Sequence, residues 1–72
     1  MFRYVPFREE LYSDELRCYT SFGIRVKDSQ NNILFTVSDV FTKYSFAKRV
    51  CHKFTTEQLD PIHLYEVIED LL

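Results

Sequence analysis

His63 and Glu66 stand three residues apart near the C-terminus, with Asp60 and Asp70 close to them in sequence. Residues three apart share one helical face, so an imidazole and a carboxylate could begin a metal site. Zinc sites use three or four ligands, however, and the only other histidine, His52, lies in a different segment. We therefore interpret His63 and Glu66 as a helix-stabilising pair, keep metal binding as the weaker hypothesis, and expect no cofactor.

Cys18 and Cys51 are the two cysteines, and both fall on the apolar side of predicted elements. We expect both to be buried, reduced and slow to react with thiol reagents, and a redox switch is the alternative. A Cys51–His52 catalytic pair is disfavoured, because adjacent side chains on a helix diverge. Since no phosphate loop and no Ser-His-Asp grouping is present either, we predict that the protein is not an enzyme.

A third group with possible chemistry is basic and lies on one predicted helical face. This basic ridge consists of Lys48, Arg49, His52 and Lys53. It could bind the phosphates of a nucleic acid, but Tyr44 is the only nearby aromatic for stacking bases, and the net charge is -2. The favoured interpretation is electrostatic pairing with the acidic C-terminal segment, in the same subunit or in a neighbour.

Three segments have strand patterns. Residues 16–27 alternate between apolar even positions and mostly polar odd positions, the period of a half-buried strand. The Asn- and Asp-rich turn at 28–32 and the β-branched and aromatic residues at 33–41 predict a hairpin with it. Residues 2–12 predict an edge strand, because Pro6 cannot donate a ladder hydrogen bond. Gly23, inside the best strand, predicts a bulge or the close approach of another group.

Two helices follow the strands. Residues 43–54 are amphipathic with Thr42 as the expected N-cap, and Asp60 followed by Pro61 is typical of a second helix start. The order predicts an α+β fold in one domain over 1–72. We expect a three-stranded antiparallel meander followed by two helices packed on one sheet face.

This arrangement assigns side chains to two layers. The predicted core consists of Phe22, Ile24, Phe35, Val37, Phe46, Val50, Phe54, Leu64, Val67, Ile68 and Leu71. The uncovered outer sheet face is predicted to carry Phe2 and an interaction surface of Tyr4, Tyr12, Tyr19, Leu34 and Val40. A domain of this size gains stability from a partner. We therefore expect a homo-oligomer that uses this face or the edge of the third strand, which no proline protects.

The sequence also limits location. The longest apolar run is Ile33-Leu34-Phe35, far below the ~18 residues of a membrane span, and the N-terminal residues have no apolar signal segment. We expect a cytoplasmic protein without a membrane partner.

Two stretches resemble a known family. They are Tyr19-Thr20-Ser21-Phe22-Gly23-Ile24 and the C-terminal run Asp60-Pro61-Ile62-His63-Leu64-Tyr65-Glu66-Val67-Ile68-Glu69-Asp70. Together they resemble a family of short clostridial-type bacterial proteins of unknown function. The resemblance implies a stand-alone cytoplasmic protein and supplies no activity and no functional residues. The first helix departs from that family, whose members mix Glu with Lys there.

These observations favour a non-catalytic module for protein–protein interaction or regulation, which binds itself, another protein or both. The alternative is a nucleic-acid-associated regulator that uses the basic ridge. A metal or redox sensor is the third hypothesis.

Overall fold

The computed structural model describes residues 1–72 as a three-stranded antiparallel sheet followed by two helices. The strands are β1 (Arg3–Ser13), β2 (Arg17–Lys27) and β3 (Ile33–Phe41), and β2 lies in the middle. Helix α1 spans Tyr44–Glu57, and a 3-10 turn at Pro61–His63 leads into α2 (Leu64–Leu71). The predicted α+β meander with two following helices is confirmed.

The β2–β3 turn is built by the predicted Asn- and Asp-rich segment. Asp28 Oδ1 accepts hydrogen bonds of 2.9 Å from the amides of Gln30 and Asn32, while Asn31 adopts a positive φ of 68°. The hydrogen bond from the Asn32 amide, supported by the Asn32 side chain and the Gln30 amide, lowers the pKa of Asp28. The polar turn residues therefore satisfy one another and join the two strands.

One hydrophobic cluster holds the sheet and both helices together. Its members are Tyr4, Phe22, Ile24, Val26, Phe41, Ala47, Val50, Cys51, Phe54, Leu64 and Ile68. The predicted inward positions Phe22 and Ile24 are confirmed as buried. Burial of these side chains provides most of the favourable free energy of folding in a domain of this kind.

Three residues predicted in the core are exposed instead. Phe35, Phe46 and Leu71 are 45%, 41% and 42% exposed, and placing them in the core was wrong. Helix α1 packs mainly over β1 and β2, so the helix layer covers little of β3 and leaves Phe35 uncovered. Tyr4 and Phe41 fill core space that the prediction gave to other residues.

Gly23 meets both conditions predicted for it. The β2–β3 register shifts between Phe22 and Ile24, so β3 carries extra residues opposite this point. A Cβ atom at Gly23 would lie 2.6 Å from Cζ of Phe7 on β1. A Cβ atom would also collide with the backbone carbonyl oxygen of Val37, which cannot move aside as the Phe7 ring could, so the close approach requires glycine.

The helix boundaries differ from the prediction at both ends of α1. Lys43, not Thr42, is the N-cap, and it makes no side-chain cap hydrogen bond. The helix continues past Phe54 to Glu57 and ends where Gln58 adopts a left-handed φ of 51°. The longer helix brings Thr55 and Gln58 next to β1.

Candidate interaction surface

The free edge of β3 is one of the two sheet edges, because β3 pairs only with β2. The Tyr4 amide donates to Thr55 Oγ1 and therefore points away from β2. The backbone N–H and C=O of the next residue, Val5, point the other way, toward its β2 partner Arg25, and those of Arg25 point toward Val5. Backbone groups alternate sides along a strand, and Thr36 lies opposite Arg25. The N–H and C=O of Thr36 therefore point away from β2, into solvent.

Two irregularities bound the regular part of β3. Leu34 is an extra residue between the partners of Val26 and Lys27, and a second shift separates Val37 from Phe41. The regular open segment is therefore Phe35–Val37. An edge bounded by bulges can pair with one short strand but does not offer a long template for aggregation.

An exposed apolar patch adjoins this open segment. The β3 patch consists of Leu34, Phe35 and Ile62 around a cleft that Phe2, Asp60 and Pro61 also line. Leu34 and Ile62 are 42% and 77% exposed. Strand and helix residues come together here because the turn at Pro61–His63 lies beside the start of β3. These exposed apolar side chains are contiguous rather than scattered, which makes the patch a candidate contact surface.

The outer edge of β1 is covered where it adjoins α1. Gln58 Oε1 accepts from the Phe2 amide, and Gln58 Nε2 donates to the Phe2 carbonyl, both at 2.9 Å. Thr55 Oγ1 accepts from the Tyr4 amide at 2.9 Å and donates to the Cys51 carbonyl at 2.9 Å. The side chains at the end of α1 thus take the place of a neighbouring strand.

Beyond Tyr4, the β1 edge is protected by other means. Pro6 has no N–H to offer, and Arg8 and Glu10 form an exposed ion pair of 2.8 Å on the following stretch. Proline and charge are both devices that prevent edge-to-edge pairing. β1 is therefore closed to a further strand over most of its length.

The outer sheet face is occupied by its own side chains. The Arg25 guanidinium lies 4.1 Å from the centroid of the Phe7 ring, and that ring covers Gly23. A cation held over an aromatic face stabilises the pair and gives the ring a charged neighbour. This face is less apolar than the sequence predicted.

A polar network on the same face joins all three strands. Glu9 accepts hydrogen bonds from Ser38 Oγ at 2.7 Å and from the Asp39 amide at 2.9 Å. Asp39 in turn accepts from Ser21 Oγ at 2.6 Å and from the Tyr19 hydroxyl at 3.0 Å. The hydrogen bond to Asp39 raises the pKa of Tyr19, with smaller contributions from burial and from the charges of Asp39 and Glu9. The network holds the second β3 bulge in place, where Asp39 has a φ of 57°.

The predicted aromatic interaction surface does not exist as one surface. Tyr4 is 3% exposed and packs edge-on against Phe54 of α1, so placing it on the outer face was wrong. Phe2 and Val40 pack against the core, which also contradicts their assignment. Leu34 belongs to the β3 patch because the bulge displaces it from regular alternation.

The other two residues of that surface, Tyr12 and Tyr19, lie on opposite faces of the sheet. Tyr19 is on the outer face, where it bonds to Asp39. Tyr12 is exposed at the far end of the β1–β2 hairpin and pairs with Cys18. The even parity of Tyr12 places it on the helix side of the sheet rather than the outer side.

The basic ridge lies on the exposed side of α1, opposite the buried residues Ala47, Val50, Cys51 and Phe54. Its members Lys48, Arg49, His52 and Lys53 are all exposed. The structure contains two ion pairs, Arg8–Glu10 and His63–Glu66, and neither involves the ridge. The predicted pairing with the acidic segment is therefore not made within one subunit.

The two cysteines have different environments. Cys51 is buried in the core, and burial raises the pKa of its thiol to about 12. Cys18 is exposed near the tip of the β1–β2 hairpin, so expecting it to be buried was wrong. Its even position places its side chain on the same side of the sheet as the core residues of β2, but the helices do not extend over this part of the sheet.

The start of α2 has a side-chain cap and a buried proline. Asp60 Oδ1 accepts from the Ile62 amide at 3.1 Å, and Pro61 occupies the first turn.

His63 Nδ1 lies 3.8 Å from the Glu66 carboxylate, and both side chains are exposed. No group of three or more His, Cys, Asp or Glu residues is arranged to hold a metal ion. Burial, with the Asp60 charge as a smaller cause, raises the pKa of Tyr4 to about 12.

A family model described as a family of unknown function, DUF6514, matches residues 2–72. The chain belongs to the DUF6514 family. The family match covers every element described above, from β1 to α2. No curated protein and no solved structure matched the chain. No helix in the structure is long and apolar enough to cross a membrane.

The sequence prediction missed the residues that distinguish the two edges. The prediction ends the first helix at residue 54, so it gives Thr55 and Gln58 no part in covering β1, and it assigns Ile62 to no surface. The sequence contains one signal for the difference between the edges. The first strand has Pro6 and charged residues, whereas the third strand has neither proline nor basic residues.

Proposed function

We propose that this chain is a non-catalytic cytoplasmic protein–protein interaction module that self-associates through the open edge of β3. The observation that carries the proposal is the contrast between a covered β1 edge and the open segment Phe35–Val37 beside the β3 patch. Main-chain hydrogen bonds across such an edge provide affinity, and neighbouring apolar side chains add buried area.

The favoured partner is a second copy. A two-fold axis near Thr36 would place two β3 edges antiparallel, so that each copy offers the same surface to the other. The only charged residue of β3 is Asp39, whose carboxylate is already bonded to Ser21 and Tyr19. No like charges would meet across the axis, and the two β3 patches would lie on either side of it.

The non-catalytic part of the proposal rests on the state of the reactive side chains. The high pKa of Cys51 keeps its thiol protonated at neutral pH. His63 contacts a single exposed carboxylate at 3.8 Å, which is the arrangement of a helix-surface pair. We also propose, from the resemblance stated above, that relatives are clostridial-type proteins with the same C-terminal motif.

Sedimentation equilibrium of Thr36→Pro and Thr36→Val tests the proposal. Proline removes the outward N–H without removing a β2–β3 hydrogen bond, whereas valine keeps it. At about 1 M salt, which screens contacts between exposed charges, we expect the parent and Thr36→Val to sediment at twice 8.7 kDa at micromolar concentration and Thr36→Pro to sediment as a monomer. A monomeric parent, or a Thr36→Pro protein that is folded and still dimeric, would refute the proposal.

A further inference from the structure

The two helices present opposite charges to solvent. On α1, Lys48, Arg49 and Lys53 are exposed on the side opposite the core, and no carboxylate lies within ion-pair distance of them. Glu57, the one acidic residue of α1, is in its last turn. Each basic side chain is therefore free to meet an anionic group from outside the subunit.

Helix α2 has the complementary face. Leu64 and Ile68 are buried, while Glu66, Glu69 and Asp70 are exposed. Of these acidic residues only Glu66 has a partner, His63 at 3.8 Å. Three basic residues on one helix and three acidic residues on the other thus remain without partners of opposite charge within the subunit, apart from that one contact.

We propose that the basic ridge of α1 in one copy binds the acidic face of α2, formed by Glu66, Glu69 and Asp70, in another copy. The argument is charge complementarity: equal numbers of opposite charges lie on two helical faces of one chain, and within the subunit the only partner of either set is His63, which contacts Glu66. A second copy supplies the matching surface without any other partner.

This contact is separate from the β3 edge. α1 packs mainly over β1 and β2, whereas the open edge belongs to β3, so the ridge and the open edge lie on different parts of the molecule. Binding of α1 to α2 joins different surfaces, and repetition of such a contact produces larger assemblies unless a ring closes. The inference deepens the proposed function by adding a second, salt-dependent contact between copies.

The strength of this contact should depend on ionic strength. The Debye length is about 30 Å at about 0.01 M salt and about 3 Å at about 1 M. Exposed ion pairs are weak singly and are screened by salt, so three pairs act together only at low ionic strength. We therefore expect assembly beyond the dimer at about 0.01 M salt and its loss at about 1 M.

Reciprocal charge reversal is the test. One variant combines Lys48→Glu with Lys53→Glu, the other combines Glu66→Lys with Asp70→Lys, and both are made in the parent and in Thr36→Pro. A matched control, Asp14→Lys with Glu15→Lys, makes the same charge change as the Glu66→Lys and Asp70→Lys variant but at the exposed β1–β2 turn. Light scattering and sedimentation velocity at low and high salt measure the assembly.

We expect each reversed variant to lose the low-salt assembly, with Kd weakened roughly tenfold or more, while an equal mixture of the two restores it. The control variant should assemble like the parent. In the Thr36→Pro background the same pattern should appear on monomers, which separates this contact from the β3 edge.

Several results would overturn the inference. These are assembly that is insensitive to salt, a mixture that fails to restore it, or a control that loses it equally. Binding of a single-stranded DNA of about 20 nucleotides that Lys48→Glu with Lys53→Glu abolishes, in the absence of low-salt assembly, would assign the ridge to nucleic acid instead. A monomer at high salt in the parent would refute the β3 proposal alone and leave this contact standing.

Discussion

The two edges of this sheet differ in how their backbone groups are satisfied. At β1, the side chains of Thr55 and Gln58 bond to the amides of Tyr4 and Phe2, and Pro6 lacks an amide hydrogen. At β3, the backbone groups of Thr36 face solvent beside the exposed β3 patch. One small sheet thus has one closed edge and one open edge. This difference is the basis for the proposal that the open edge pairs with a second copy.

Truncating an aromatic residue at each edge gives the largest expected contrast. Tyr4→Ala should destabilise the monomer by about 3–5 kcal/mol, because it leaves a cavity against Phe54. Phe35→Ala should cost the monomer less than about 1 kcal/mol, since its side chain is 45% exposed, but should weaken the dimer. Urea denaturation in the Thr36→Pro background measures the first effect without dimerisation. Equal losses for the two variants would show that the edges are not different in kind.

Uncovering β1 should have the next largest effect. Thr55→Val keeps the shape of the side chain but leaves the Tyr4 amide without its acceptor, so we expect a loss of about 1–3 kcal/mol. Thr56→Val, at the exposed neighbouring position, is the matched control and should change stability by less than about 0.5 kcal/mol. If both variants unfold at the same urea concentration, the cover of β1 does not contribute to stability.

Alkaline pH should weaken the closed edge. In the unfolded chain Tyr4 ionises near pH 10, whereas its pKa in the fold is about 12. The unfolded state therefore loses the proton first, and the contribution of Tyr4 to stability is complete below pH about 10 and falls as the pH rises toward 12. Tyr4→Phe should reduce this fall and cost about 1 kcal/mol at neutral pH through loss of the hydrogen bond to the Leu59 carbonyl. An unchanged pH profile in that variant would contradict the assignment, with Tyr12→Phe as the exposed control.

Thiol labelling should separate the two cysteines without changing stability. Cys18 should react with a thiol reagent in the native state, and Cys51 only after unfolding, because burial disfavours its thiolate. Mass spectrometry after brief labelling should show one modified thiol per chain. Rapid labelling of Cys51 in the folded protein would mean that α1 opens readily above the sheet.

Local periodicity was sufficient to predict the elements and their order. β2 was the clearest strand, because Phe22, Ile24 and Val26 occupy alternate positions and are all buried. The facing of β1 could not be predicted in the same way, since Phe2 and Tyr4 have one parity and Val5 and Phe7 the other. Only the contact of Tyr4 with α1 decides which side faces the core.

The interaction surface was harder to predict because it depends on irregular and non-local features. Bulges displace Leu34 from alternation and bring Asp39 into a left-handed conformation. Ile62 meets β3 only through the turn before α2. Cys18 had the correct parity for burial, but sequence parity does not tell where the helix layer ends.

Residue-resolved amide hydrogen exchange across a range of protein concentrations tests the difference between the edges most directly. The Thr36 amide at the open edge should gain protection as the concentration rises and the dimer forms, while the Arg8 amide at the outer edge of β1 should exchange at a constant rate. Thr36→Val should show the same gain at this position. Constant exchange at Thr36 at every concentration, or concentration-dependent protection of Arg8 instead, would contradict the account.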